Sequence, residues 1–292
     1  MKLAVLASPR SWYLDDLRRA AAGRHEVIAL PFSQLASDAS ACWSGPPSTR
    51  QPLDGFDAVV VRSMPPGSLE QVVFRMDVLG RAEAAGVRVV NPPRALEVAV
   101  DKYLASARLR SAGLLVPPTY VCQTVEEGLA AFDALGGDVV VKPLFGSEGR
   151  GMARVTDPAV ALRVFTALVR VQAVLYLQKF VPHPGHDYRL LVLGERVLAI
   201  RRRNPNDWRT NVARGAVAEP FDPPEAMVCL ARRAAQAVGA LWAGVDLLPG
   251  LDGGLYALEV NAVPGWRAVA AAHQVDVAAL ALAHLEQLAK HP

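Results

Sequence analysis

Four short apolar runs near the start of the chain, Leu3–Ala7, Glu26–Leu30, Ala58–Val61 and Val87–Val90, constrain most strongly what the first hundred residues can become. Their length and composition read as buried strands. Between them, Leu14–Ala22 and Leu69–Ala85 read as helices. Buried strands separated by helices predict a parallel α/β sheet, because parallel neighbours need a crossover connection. The first run stops at Ser8-Pro9-Arg10, too early for a signal peptide, and is better read as a first strand. Ser37–Asp54, rich in Ser, Pro and Gly, reads as a loop with room to move.

Asn91-Pro92-Pro93 punctuates the chain and marks a first boundary. A helix is expected from Asp101, a suitable N-cap, to Gly113 in the C′ position. Val116-Pro117-Pro118-Thr119 restarts extended structure. Helices are then expected over Val125–Leu135 and Pro158–Val169, and strands over Asp138–Pro143 and Ala173–Phe180. Further strands are expected over Arg189–Leu193, Val197–Arg201, Gly244–Leu248 and Gly254–Val260, with a helix over Pro224–Gly239. Asp276–Lys290 is an amphipathic helix that could pack internally or at the interface of a homo-oligomer. The class is α/β, becoming α+β in the C-terminal part, and the length suits roughly two domains.

Composition excludes several functions. A net charge of +3 is too small to argue for nucleic acid. No apolar run reaches the ~18 residues of a membrane helix. The cysteines, Cys42, Cys122 and Cys229, are far apart and make neither a metal pattern nor a disulfide framework. That usage fits a reducing, cytoplasmic compartment.

The chemistry concentrates in a few segments. In Val139-Val140-Val141-Lys142-Pro143-Leu144-Phe145-Gly146-Ser147-Glu148-Gly149-Arg150-Gly151, a strand delivers Lys142 to a loop with closely spaced glycines. Glycines let backbone N–H groups approach phosphate, and lysine adds a point charge for the same anion. No Gly-Lys-Ser/Thr follows, so this is not a Walker loop. Taken alone, a Gly-rich hairpin with a solvated lysine explains it equally well. Asp246 and Glu259 each interrupt an apolar strand. Glu259 and Asn261 are two apart and share a strand face, with Leu258 and Val260 on the other. Such an oxygen-rich set suits magnesium, which takes carboxylates together with water and substrate phosphates. Tyr176–Pro182, a strand ending in polar and aromatic residues, could bind adenine, although alone it reads as an ordinary amphipathic edge strand. The series Arg189, Arg201, Arg202, Arg203, Arg209 and Arg214 offers forks for carboxylates or phosphates, although any one of them alone reads as solvated.

The order of these pieces resembles the ATP-grasp superfamily and, within it, the RimK-type α-L-glutamate ligases. The resemblance rests on Asn91-Pro92, Asp101-Lys102, Val116-Pro117-Pro118-Thr119, Val141-Lys142-Pro143 with its glycine loop, Gln178-Lys179-Phe180-Val181, Asp187-Tyr188-Arg189, Trp208-Arg209-Thr210-Asn211 and Glu259-Val260-Asn261 before Pro264-Gly265. It implies an ATP-grasp fold, with an N-terminal Rossmann-like α/β domain (1–100), a small ATP-grasp subdomain (101–183) and a large one carrying the metal site (184–292). It implies that Lys102, Lys142 and the loop residues Gly146, Ser147, Gly149 and Gly151 hold the phosphates of ATP. Gln178, Lys179, Phe180 and Val181 would frame adenine, and Asp187 the ribose side. Arg209, Thr210 and Asn211 would line the nucleotide and acyl-phosphate region. Arg189, Arg202 and Arg209 would act on the acyl oxygens, and Asp246, Glu259 and Asn261 would hold two magnesium ions, with manganese able to substitute. Thr210 stands where serine is common, no histidine precedes Arg214, and Arg201–Arg203 carries an extra cation. These departures lie toward the acceptor side.

The expected activity is ATP-dependent ligation of an amine, L-glutamate by resemblance, to an acceptor carboxylate through an acyl phosphate. The acceptor would be a protein C-terminus, a carrier protein or a small cofactor such as a pterin. A nucleotide-binding protein without ligase activity, or another peptide-type ATP-grasp ligase, are the alternatives. No nucleic-acid or membrane partner is expected.

Overall fold

The N-terminal apolar runs pair in parallel. In the computed structural model, which describes residues 1–146 and 149–290, the chain opens with β1 (Lys2–Leu6), α1 (Trp12–Ala21) and β2 (Glu26–Leu30). It continues through β3 (Leu35–Ser37), β4 (Cys42–Ser44), β5 (Gln51–Pro52), β6 (Ala58–Val61), α2 (Leu69–Ala84) and β7 (Arg88–Val90). The sheet order is β2-β1-β6-β7, every neighbour parallel. Successive residues of β1 point to opposite faces. Ala4 and Leu6 join a core cluster with α2, while Leu3 and Val5 join another with α1. Covering on both faces is why the strand is apolar throughout.

Ser37–Asp54 is not a simple loop: β3, β4 and β5 form a small antiparallel sheet. Strands of two or three residues between Gly and Pro leave no periodic trace in a sequence. The sheet is fastened from outside. Arg81 on α2 donates to the Ser37 hydroxyl and to the carbonyls of Asp38 and Ala39.

Two helices follow β7, α3 (Pro93–Val100) and α4 (Lys102–Ser111), where the sequence reading had only the second. They meet at Asp101, which ends one and caps the other, accepting from the backbone N–H of Tyr103 and Leu104 at 2.9 and 3.0 Å. Next come β8 (Thr119–Cys122), α5 (Val125–Ala134), β9 (Val139–Lys142), β10 (Ala153–Val155), α6 (Pro158–Arg170) and β11 (Leu175–Lys179). They make an antiparallel sheet, β10-β9-β11-β8, with its own core around Phe132, Val141, Phe165 and Leu177.

The rest of the chain supplies β12 (His186–Leu193), β13 (Arg196–Arg203), β14 (Val217–Phe221), α7 (Glu225–Val238), β15 (Trp242–Pro249), β16 (Leu255–Asn261), α8 (Arg267–His273) and α9 (Val277–Lys290). The antiparallel order is β14-β13-β12-β15-β16. This sheet shares both large core clusters with the N-terminal sheet: Leu190, Val192 and Val245 in one, Leu191, Leu193 and Trp242 in the other. The apolar face of α9 packs inward on the second cluster through Val277, Ala281 and Leu285.

Asn91, just past β7, joins the two sheets. Its buried amide donates to the carbonyls of Trp242 and Ala262 and accepts from the N–H groups of Leu241 and Trp242. Replacing it with Ala would strand several buried backbone groups at once. Since each unsatisfied group costs about 1–3 kcal/mol, Asn91→Ala should lose at least ~3 kcal/mol of unfolding free energy by urea titration.

Candidate functional site

Residues of β9 and β11 face those of β12, β13, β15 and β16 across a cavity that opens to solvent. Lys102, at the start of α4, and Lys142, at the end of β9, reach it from one side. Lys142 is half-buried and donates to Gln178 Oε1 at 2.6 Å. Burial pushes its ammonium down to about 8, Glu259 opposes that, and neighbouring Lys102 pushes it the same way as burial. Lys102 donates to the carbonyl of Gly146 at 2.7 Å and is likewise lowered by burial, against the pull of Glu259 and Asp101. Among the described residues neither ammonium forms an ion pair, and a phosphate would supply the compensating charge.

The glycine loop leans on the opposite wall. Gly149 has φ +67°, and a Cβ there would lie 2.6 Å from Asn211 Oδ1. Arg214 donates to the carbonyl of Gly149 at 3.2 Å. Gly146, Gly149, Arg150 and Met152 line the cavity. Gly151, with φ +71°, shapes the loop without lining it among the described residues. Ser147 lies outside the described residues.

At the other end, Asp246 on β15 pairs directly with Glu259 on β16, and both carboxylates line the cavity. The register shifts between Asp246 and Leu247. Such a bulge re-aims side chains, and here Leu258 lines the cavity beside Glu259, although strict alternation had put it on the far face. Val260 keeps the core side. Asn261 turns back to accept from Val263 N–H at 2.8 Å and does not line the cavity among the described residues.

The arginines divide. Arg202 lines the cavity and bridges two carboxylates, forking onto Asp187 and reaching Asp246 at 2.9 Å. Burial pulls the Arg202 guanidinium down, but Asp246 and Asp187 outweigh burial and leave it above its ordinary value. Arg189 stands beside Asp246, donating to both of its oxygens at 3.0 and 3.2 Å, and is not among the lining residues. Arg209 lines the cavity with its guanidinium held by Asp207, next to Thr210 and Asn211. Asp187, expected toward a ribose, spends both oxygens on Arg202.

Gln178, Lys179, Phe180 and Val181 form one rim. The Phe180 ring carries Arg154 at 3.5 Å and meets Trp208 edge-on at 6.0 Å and His183 at 5.9 Å. His183 and Trp208 line the cavity and were not assigned from sequence. The aromatic residue beside Arg209 and the His between two prolines were the only cues.

Among the described residues no cluster of three or more His, Cys, Asp or Glu could hold a metal alone. Glu259, which forms no ion pair among the described residues, fits magnesium, which takes one or two carboxylates and completes its shell with water and phosphate, whereas Asp246 beside it has both oxygens held by Arg189 and Arg202.

A sequence profile of the RimK-like ATP-grasp domain matches residues 99–285. The chain belongs to the RimK-like ATP-grasp family. It is thereby an ATP-dependent ligase that forms a C–N bond. A tetrahydromethanopterin:alpha-L-glutamate ligase of Methanosarcina acetivorans is 33% identical over 265 residues, covering 81% of this chain and 82% of that one. A probable alpha-L-glutamate ligase of Cellvibrio japonicus is 30% identical over 302 residues, covering 99% and 97%. The fold matches the crystal structure of a RimK domain ATP-grasp protein from Sphaerobacter thermophilus with TM-score 0.76 at 24% identity, covering 97% and 99%. It also matches the ATP-grasp ligase PsnB complexed with a minimal precursor with TM-score 0.74 at 23% identity, covering 98% of both chains.

Lys142 gives the ATP-grasp pocket a pH signature. Its pKa is lowered to about 8 from an ordinary 10.5. The folded protein therefore releases this proton as pH rises through about 8, whereas the unfolded chain holds it until about 10.5. The lysine's contribution to stability is unfavourable below 8 and is relieved as pH rises across that window. A phosphate nearby would restore the charge. ADP binding at pH 8.5 should therefore take up protons, measured by calorimetry in buffers of different ionisation enthalpy, and Lys142→Met should abolish the uptake.

Proposed function

We propose that the protein uses ATP and magnesium to join L-glutamate to an acceptor carboxylate through an acyl phosphate. The observation that carries this is the polarity of the cavity: two partly buried lysines and a glycine loop on one side, paired carboxylates flanked by arginines on the other. In this reading the acceptor carboxylate attacks the γ-phosphorus of ATP and ADP leaves. The amine of glutamate then attacks the acyl carbon, and the new amide forms as phosphate departs. Lys102 and Lys142 neutralise phosphate charge as it moves, and Arg202 and Arg209 orient the acyl oxygens. Glu259, with Asp246 beside it, would hold magnesium, which supplies further charge neutralisation at the phosphates. No protein nucleophile is needed. The glycine loop, braced by Asn211 and Arg214, keeps water from the intermediate.

Glutamate comes from the names of the relatives, and so does the first acceptor to try. Relatives named for tetrahydromethanopterin make a pterin-borne carboxylate the leading candidate, ahead of a protein C-terminus or a carrier protein. The test is release of ADP and phosphate with L-glutamate held constant and acceptors added singly. Release should require both amine and acceptor, and Lys142→Ala and Glu259→Ala should each lower it by roughly 100-fold or more. ATP binding with no acceptor-dependent release across all three acceptor classes would leave a nucleotide-binding protein instead.

A further inference from the structure

Arg62 follows β6, far in sequence from the residues so far assigned, and is buried. Its guanidinium lies 4.3 Å from the ring centroid of Trp266 and 4.7 Å from that of Tyr13. Its Nη2 donates to the carbonyl of Pro264 at 2.7 Å. Among the described residues Nε and Nη1 are buried without a hydrogen-bond partner, and no carboxylate forms an ion pair with the group. Burial lowers its pKa to about 10. A buried cation held by two rings and one carbonyl is a poor way to gain stability, because a well-packed apolar residue does better at such positions.

What Arg62 does hold is one short segment. Pro264–Trp266 follows β16, which carries Glu259 and ends at Asn261, after the intervening Ala262 and Val263. Three residues from the N-terminal part of the chain grip it. Arg62 takes the Pro264 carbonyl. The Tyr13 hydroxyl occupies the space, 2.5 Å away, that a Cβ on Gly265 would need. Asp16 accepts from Trp266 Nε1 at 2.8 Å. Asn261 is tied into the same segment through Val263 N–H. Apolar packing alone would bury Trp266 without fixing how the Pro264 carbonyl is turned. A guanidinium between two rings fixes both.

We infer that Arg62 is a positioning residue for the acidic end of the site: by holding Pro264–Trp266 it sets how β16 presents Glu259 to nucleotide-bound magnesium. This rests on the reading of Glu259 as a magnesium carboxylate given above.

The experiment is ADP binding by calorimetry with and without magnesium, alongside thermal unfolding. The variants are Arg62→Met, which keeps most of the bulk, and Arg62→Lys, which keeps the charge and one donor. Arg62→Met should bind metal-free ADP as wild type does, yet lose roughly five-fold or more of the tightening that magnesium confers. Its midpoint should be unchanged or higher, and Arg62→Lys should recover part of the tightening. A full magnesium effect in Arg62→Met, with wild type behaving as expected, overturns this inference alone. Absence of magnesium-dependent ADP binding in wild type overturns the magnesium reading and this inference with it. If Arg62→Met does not fold, Arg62→Lys decides: a reduced magnesium effect at unchanged midpoint supports the inference, and a full one overturns it.

Discussion

Asp246 interrupts the otherwise apolar β15 and is only 4% exposed, so its charge must be met within hydrogen-bond reach. Arg189 from β12 and Arg202 from β13 meet it, and Arg202 in turn holds Asp187 on β12. The four charges run across three neighbouring strands. A one-residue slip of any strand would send its member to the core face, so the network specifies register. Buried ion networks of this kind add little net stability, and their worth lies in geometry. The other carboxylate, Glu259, is placed by the same strand pairing, and its field reaches both lysines across the cavity.

The two sides of the cavity are built differently. The acidic side stands on a sheet that shares its cores with the N-terminal domain and is fastened to it by Asn91 and Arg62. Lys142 and the glycine loop belong to a small sheet with a separate core, while Lys102 stands on α4, whose Leu109 packs in the larger body's core. The glycine loop touches the larger body through Gly149, Asn211 and Arg214. Rigid acids and a more independent phosphate cradle suit a site that must admit a nucleotide and then exclude water.

Much of this was legible in the residues. Lys142 announced itself as a cation at the end of an apolar strand before glycines. Asp246 and Glu259 did so as acids inside apolar strands, where burial without partners is too costly to be accidental. Asp101 was readable as a cap because a helix start follows it. What could not be read depends on tertiary geometry. The bulge that turns Leu258 inward changes no residue type. Asn261 satisfies its own turn rather than the cavity, and either use leaves the same Glu-Val-Asn string. The strands between Ser37 and Asp54 are too short to show alternation. Arg62 looked like any polar residue ending a strand, because its partners Tyr13, Pro264 and Trp266 are scattered along the chain.

The proposed reaction requires the acceptor to be activated on phosphorus, with no enzyme nucleophile involved. Turnover of an acceptor labelled with ¹⁸O in its carboxylate, followed by mass analysis of the products, tests it most directly. ADP should form, and the released phosphate should carry one labelled oxygen from the acceptor. Phosphate free of label, or cleavage of ATP to AMP with the label on AMP, would contradict it.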